Sequence, residues 1–278
     1  MKKIRLIELF SGIGAQASAL ERLGVDFEHY KTSEWEVNAV ASYKAIHCFN
    51  NNNDYSAHFS SSELTQQLYD LGISTDGKKP MTKEQISRKS EEWKRTVFNN
   101  FKNTNNIGSI AAAKGSDLEI INTNDFTYLL TYSFPCQDLS LAGKQKGMKK
   151  GSNTRSGMLW EVERLLTEVE ELPQVLLMEN VIQVHSKKNE PDFNRWIEFL
   201  EDLGYYNYWQ DLNAKDYGIA QNRNRTFMLS FLDNVSFKFP DPIKLNNVIS
   251  DYLDSEVDPK FYVTNEKQKA MLKRLIEC

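Results

Sequence analysis

The sequence predicts an α/β fold with a mostly parallel sheet, helices on both faces and an antiparallel strand pair at one edge. Short apolar segments typical of buried strands alternate along the chain with amphipathic segments at helical spacing. A turn containing two glycines joins the first apolar segment to the first helix, as in α/β sheets that bind nucleotides. These two observations are the basis for the predicted fold class.

The elements follow one another in a regular order. In the first part of the chain we expect strands at 4–9 and 27–32 and helices at 14–23 and 36–47. A polar, asparagine-rich insertion at about 50–106 then interrupts the pattern, with helices near 61–71 and 82–101. The sheet resumes with strands at 126–133 and 174–178, helices at 156–169 and 192–203, and an antiparallel pair at 205–212 and 225–231. Residues 1–240 should form the main domain, and 241–278 an extension with helices near 245–253 and 265–276.

Composition excludes several classes of protein. The 278 residues are enough for one large domain, and no apolar run approaches the roughly 20 residues that span a bilayer. The three cysteines, Cys48, Cys136 and Cys278, are far apart without metal-ligand spacing, so we predict a reducing, cytoplasmic setting and no metal site. The net charge of −4 is not that of a chain that grips DNA alone, although 78–102 and 144–155 are locally basic.

The first turn has the features of a cofactor site. Phe10-Ser11-Gly12-Ile13-Gly14 follows the first strand, and its glycines allow a sharp turn close to a ligand. Glu34, 20 residues after Gly14, can accept hydrogen bonds from ribose hydroxyls, and Trp35 can lie against an adenine ring. A plain tight turn and a surface glutamate remain the alternative. The turn is short for a pyrophosphate, which favours S-adenosylmethionine over NAD.

Reactive side chains follow the later strands. Cys136, after Pro135, stands where a strand end would present a nucleophile, whereas a structural cysteine would be buried. Thiolate addition at C6 of cytosine would activate C5, and Glu179 could share a proton with ring N3. Asn180 could orient that carboxyl group or hold the loop. Arg225 could bind the cytosine carbonyl oxygen, while Arg223 bonds a phosphate or the neighbouring acid.

The target base of such chemistry must leave the duplex, because stacking hides C5 and C6. The segment from Ser140 to Arg155 combines glycines with lysines and is typical of a loop that closes on DNA.

Together these motifs resemble, in order and spacing, the cytosine-5 DNA methyltransferase family over about residues 4–232. The stretch 131–160 is especially similar to bacterial members that methylate CpG. The resemblance implies a Rossmann-like methyltransferase sheet that uses S-adenosylmethionine, double-stranded DNA as substrate, and three sets of site residues. The catalytic set is Cys136, Glu179, Asn180 and Arg225. The substrate set is Gln137, Ser140, Lys144, Arg155 and Arg223. The cofactor set is Phe10, Ser11, Gly12, Gly14, Glu34, Trp35, Ser109, Ile110, Pro135 and Leu159.

The chain departs from the family pattern in two places. Ser109 stands where the family usually has an aspartate that meets the adenine amino group. Nothing after Asp241 matches the target-recognition part or the final cofactor-pocket helix. We therefore expect the catalytic subunit of a split enzyme, with a second polypeptide for recognition, or a fragment.

Three alternatives stay open: a catalytically silent interaction or regulatory protein on this fold, an RNA cytosine-5 methyltransferase, and a nicotinamide-dependent oxidoreductase. The last leaves Cys136, Glu179 and the arginines unexplained.

Overall fold

The computed structural model describes residues 2–139, 146–152 and 154–276 and contains a six-stranded sheet in the order β2-β1-β3-β4-β6-β5. The strands are β1 (Lys3–Leu9), β2 (Phe27–Ser33), β3 (Phe126–Tyr132), β4 (Val175–Asn180), β5 (Tyr206–Asn213) and β6 (Asn224–Phe231). Neighbours among β2, β1, β3 and β4 are parallel, whereas β6 is antiparallel to both β4 and β5. The predicted fold class, including its antiparallel edge pair, is confirmed.

Eight α-helices lie within the described residues. They are α1 (Ala15–Arg22), α2 (Val37–His47), α3 (Ser61–Asp70), α4 (Lys83–Ser87), α5 (Glu91–Asn103), α6 (Leu159–Glu168), α7 (Glu190–Asp202) and α8 (Glu266–Ile276). Two predictions were wrong in detail. The helix predicted at 82–101 is two helices, because the Ser90 hydroxyl accepts a hydrogen bond from the Trp93 N–H and begins α5. The helix predicted at 245–253 is only a short 3-10 turn, Ile249–Tyr252.

Apolar side chains of the central strands form the main core. Tyr128, Leu130 and Tyr132 of β3 and Leu176 and Met178 of β4 are completely buried, as expected for parallel strands covered on both faces. This burial fixes the central strands, so the loops at their carboxyl ends start from rigid positions.

The insertion has a smaller core of its own. Leu64 and Leu68 of α3 pack with Phe98 and Phe101 of α5. Lys94 is also buried there, and its ammonium group donates to the hydroxyl groups of Ser61 and Thr65 at 2.8 and 3.1 Å. The locally basic stretch 78–102 is therefore not all solvent-facing charge.

The chain divides into two compact units. The first comprises Met1–Asn213 and Arg223–Asp241, and holds the sheet and the insertion. The second comprises Ala214–Asn222 and Pro242–Cys278, and contains α8 and an isolated parallel bridge between Tyr217 and Ile243. The division predicted at residue 240 stays a prediction. No helix in the described part of the chain has the length and apolar character needed to cross a membrane.

Candidate functional site

The carboxyl ends of β1, β2 and β3 border a cleft of about 600 Å³. Strands β2 and β3 flank β1 on opposite sides, so the chain reverses its winding direction here, where open α/β sheets bind ligands. Phe10, Glu34, Trp35 and Pro135 line the cleft directly after their strands. Its volume is in the range of small-molecule sites.

Glu34 ties the end of β2 to the glycine turn. One carboxylate oxygen accepts from the Gly12 N–H at 3.0 Å, and the other accepts from the N–H groups of Trp35 and Glu36 at 2.9 and 2.8 Å. Burial raises the pKa of the Glu34 carboxyl above its usual range, while these backbone hydrogen bonds oppose the rise. The carboxylate is thus fixed beside the turn at the cleft wall.

The two glycines of the turn have different reasons to be glycine. Both have positive φ, 53° at Gly12 and 84° at Gly14. A Cβ on Gly12 would meet no atom within 4 Å, whereas a Cβ on Gly14 would lie 2.3 Å from Nε2 of His47. Gly12 therefore leaves open space, and Gly14 permits close packing of α2 against the turn.

A loop after the insertion forms another wall of the cleft. Ser109 and Ile110 line it, as predicted for the segment that meets the adenine. Gly108 accepts a hydrogen bond from the Ser33 hydroxyl at 2.8 Å and donates its N–H to the Asn106 side chain at 2.7 Å. These bonds hold the loop against the end of β2.

The insertion also returns to the cleft, which the sequence reasoning missed. Ser74 donates its N–H to the Trp35 carbonyl at 2.7 Å and accepts from the Val37 N–H at 2.9 Å. This pairing brings Gly77 and Lys78 to the cleft wall. The Asp76-Gly77 dipeptide signals a turn, but no local signal shows which part of the fold it reaches.

Cys136 lies half-buried on the loop after β3. Two polar side chains hold this loop through three hydrogen bonds. The Ser156 hydroxyl donates to the Pro135 carbonyl at 2.7 Å and accepts from the Asp138 N–H at 3.3 Å. The Asn180 amide donates to the Phe134 carbonyl at 2.9 Å. Of the two roles proposed for Asn180, the structure favours holding the loop.

Ser156 and Asp138 are positioning residues that the sequence analysis missed. Asp138 accepts a hydrogen bond from the Arg155 N–H at 2.8 Å, which joins the two ends of the segment expected to close on DNA. Ser156 is completely buried. A serine before a helix indicates a cap, but its actual partners lie 18 and 21 residues away and have no sequence signal.

Glu179 meets both arginines across the antiparallel pair β4–β6. Its Oε1 lies 3.0 Å from Nε of Arg225 and 3.4 Å from Nη2 of Arg223. About one fifth of the Glu179 and Arg225 side chains is exposed, against about half of Arg223. The expected clustering of the two guanidinium groups around one acid is present.

The other residues of the predicted site fall into three groups. Gln137 and Arg155 line the cleft, together with Met158, which takes the place expected for Leu159. Leu159 is itself completely buried in the core, and Ser11 is buried with no hydrogen-bond partner for its hydroxyl among the described residues. Ser140 and Lys144 lie outside the described residues.

Comparisons of the sequence with known proteins identify the family of this chain. The sequence model of the C-5 cytosine-specific DNA methylase family matches residues 4–71 and 69–276. The orphan methyltransferase M.SssI of Spiroplasma monobiae is 42% identical over 261 residues, covering 90% of this chain and 67% of that protein. The type II methyltransferase M2.ScrFI of Lactococcus lactis subsp. cremoris is 34% identical, covering 99% of this chain and 75% of that protein.

The fold also matches solved structures. The crystal structure of the S. pombe Dnmt2 methyltransferase superimposes with a TM-score of 0.58 at 18% identity, over 98% of this chain and 66% of that one. The Entamoeba histolytica methyltransferase EhMeth gives a TM-score of 0.56 at 18% identity, over 95% of this chain and 63% of that one. At this identity the likeness concerns the fold, whereas the sequence matches decide the family. The chain belongs to the C-5 cytosine-specific DNA methylase family.

Proposed function

We propose that this chain is the catalytic part of a DNA cytosine-5 methyltransferase that uses S-adenosylmethionine and forms a covalent adduct through Cys136. The observation that carries the proposal is the meeting of three features at the carboxyl edge of one sheet. These are the half-buried thiol on its fixed loop, the Glu179–Arg225 pair, and the adenosine-sized cleft next to them.

The residues of the cleft suit S-adenosylmethionine. Glu34 offers carboxylate oxygens for ribose hydroxyl groups, and Trp35, Phe10 and Ile110 offer apolar surface for the adenine. The turn at Gly12 leaves room for close approach, and the partnerless Ser11 hydroxyl adds a polar group beside it. When bound, this cofactor supplies the methyl group.

In the proposed reaction, Sγ of Cys136 attacks C6 of a cytosine that has left the duplex. As the S–C6 bond forms, the C5–C6 double-bond electrons move toward N3, and Glu179 supplies the proton that neutralises the charge there. The resulting enamine carries electron density at C5. After methylation, loss of the C5 proton and departure of the thiolate restore the aromatic ring. A water molecule takes the C5 proton, and N3 returns its proton to Glu179 as the ring is restored.

The arginines complete the proposed base pocket. Arg225 contacts Glu179 through its Nε, and in the proposal its guanidinium group donates to the cytosine carbonyl oxygen. Arg223 is more exposed and can reach either Glu179 or a phosphate. In this scheme Asn180 and Ser156 act through the loop they hold and do not touch the base.

The proposal includes a duplex DNA substrate and a second polypeptide that contributes to target recognition. The net charge of −4 gives little long-range attraction to a polyanion, which supports a partner that carries part of the DNA contact. A cytoplasmic setting is also part of the proposal, since a reducing compartment keeps the thiol of Cys136 free.

The test is transfer of labelled methyl groups from S-adenosylmethionine to unmethylated duplex DNA, with tRNA as a parallel substrate. We expect product 5-methylcytosine in DNA, loss of at least about 1,000-fold in rate with Cys136→Ala, and nearly unchanged rate with Cys48→Ala. Cys48 is the matched control because it is also half-buried but follows α2, outside the site. Methylation of tRNA alone would replace the proposal with an RNA methyltransferase, and absence of cofactor binding would favour the silent interaction protein.

A further inference from the structure

A cluster of two histidines and a carboxylate lies outside the cleft. Glu21 of α1, His29 of β2 and His47 of α2 bring one potential ligand atom each to within 4.8 Å of one another. Glu21 Oε1 lies 2.9 Å from Nδ1 of His47 and 3.4 Å from Nε2 of His29. The proposed methyl transfer uses none of these side chains.

The partners of His47 fix its tautomer. Its Nε2 lies 3.0 Å from the carbonyl oxygen of Ile13, which can only accept, so Nε2 carries the proton. In the neutral ring Nδ1 is therefore a bare lone pair that faces Glu21. The imidazole has no exposed side-chain area, so water does not compete for that position.

The partners of His29 fix its tautomer in the same way. The Tyr43 hydroxyl donates its single hydrogen to Glu8 at 2.6 Å, so its oxygen is left to accept from Nδ1 of His29 at 3.1 Å. Glu8 is a buried acceptor whose other oxygen takes the Ala17 N–H. Nε2 of His29 is then also a lone pair directed toward Glu21.

Two imidazole nitrogens and a carboxylate oxygen thus face one point, where they can share protons as ion pairs or together hold a cation. With both rings neutral, all three atoms are acceptors, and one divalent cation among them satisfies all three at once. We propose that Glu21, His29 and His47 bind a divalent transition metal of the zinc type.

The donor set fits that class of ion. Zinc takes neutral imidazole nitrogen at about 2.0–2.1 Å and carboxylate oxygen at about 2.0–2.2 Å. The histidine ligands of zinc typically donate the other ring N–H to a carbonyl or carboxylate. His47 donates to the carbonyl of Ile13, and His29 donates to the Tyr43 hydroxyl, which in turn donates to the Glu8 carboxylate. The Glu21 side chain is 43% exposed, so it can move onto the ion, and solvent can fill a fourth position.

The site would be structural rather than catalytic. It joins α1, β2 and α2 around the carbonyl of Ile13, within the glycine turn, and Gly14 allows His47 to approach that carbonyl. Bound metal would therefore fix the turn that borders the cleft.

Calorimetric titration of the untagged, metal-free chain with zinc chloride alone tests this inference, with cobalt(II) absorption as a check on the ligand set. We expect one ion per chain and a ligand-field spectrum typical of nitrogen and oxygen donors. Glu21→Gln and His29→Gln should each weaken binding by about 100-fold or more, whereas His58→Gln, an exposed histidine away from the cluster, should leave it unchanged.

Glu21→Gln alters a largely exposed side chain, so its folding, checked by circular dichroism, should match that of the native chain. That variant alone decides the question if His29→Gln fails to fold. The inference is overturned if the native chain takes up no zinc, or if Glu21→Gln binds as tightly as the native chain. Neither result depends on methyl transfer.

Discussion

Removing the Ser156 hydroxyl should loosen the loop that carries Cys136. The side chain is completely buried, and its hydroxyl bonds two backbone groups of that loop from the segment before α6. In Ser156→Ala the carbonyl of Pro135 and the N–H of Asp138 lose this partner, and Asp138 is itself buried. No other side chain is recorded on either group in the described part of the chain.

The size of the effect follows from the two bonds. A hydrogen bond contributes about 0.5–1.5 kcal/mol net, and the 2.7 Å bond to Pro135 should be the stronger of the pair. Leaving the buried partners unsatisfied raises the cost to about 2 kcal/mol in total. For a chain of this size that lowers Tm by about 3–4 °C.

Scanning calorimetry measures that shift, and Ser152→Ala is the matched control because Ser152 is exposed and its hydroxyl contacts the Thr154 hydroxyl. We also expect Ser156→Ala to lower the methylation rate, since the loop that carries Cys136 is loosened, and to weaken cofactor binding because Pro135 on that loop lines the cleft. A Tm for Ser156→Ala within about 1 °C of the native value would refute the assignment of Ser156 as the residue that holds the loop.

Three further changes have defined outcomes. Gly14→Ala should destabilise the chain by about 1–3 kcal/mol more than Gly12→Ala, because both have positive φ but only the first collides with His47; equal unfolding midpoints in urea would contradict this. Burial raises the pKa of the Glu8 carboxyl, so the folded chain binds this proton more tightly than the unfolded chain does. The contribution of Glu8 to stability is therefore complete below about pH 4.5 and is lost as the pH rises above it. Glu8→Gln cannot titrate, so the native Tm minus that of the variant should decrease from about pH 4.5 to pH 7, and a constant difference would count against the burial argument. Lys94→Ala should lower the free energy of unfolding by about 2 kcal/mol or more, because it leaves the Ser61 and Thr65 hydroxyls without their donor. Lys89→Ala, at an exposed position, should change that free energy by no more than about 0.5 kcal/mol. Equilibrium unfolding measures both values.

Residues directly after strands were predictable from the sequence. Phe10, Glu34 and Pro135 each follow an apolar segment, and parallel strands bring their carboxyl ends to one edge. The meeting of Glu179 with the arginines follows from the period of two along β6 and its pairing with β4. Local patterns of this kind fix both the element and its neighbours.

Features that depend on long-range polar contacts were not predictable. The pairing of Ser74 with Trp35 and Val37 is made by backbone groups, which carry no sequence information about their partners. The break at Ser90 was missed because the amphipathic period continues through it, and only the cap shows that a new helix begins. The sequence analysis expected no metal site from the cysteine spacing, and the ligands of the proposed site, Glu21, His29 and His47, come from three elements without motif spacing.

Covalent trapping tests the central claim most directly. Duplex DNA containing 5-fluorocytosine, incubated with the chain and S-adenosylmethionine, should stop the reaction at the adduct because the C5 fluorine cannot leave as a proton does. We predict a denaturant-stable complex whose mass-mapped attachment is at Cys136, which Cys48→Ala still forms and Cys136→Ala does not. An adduct that persists in Cys136→Ala, or maps to another residue, would contradict the account.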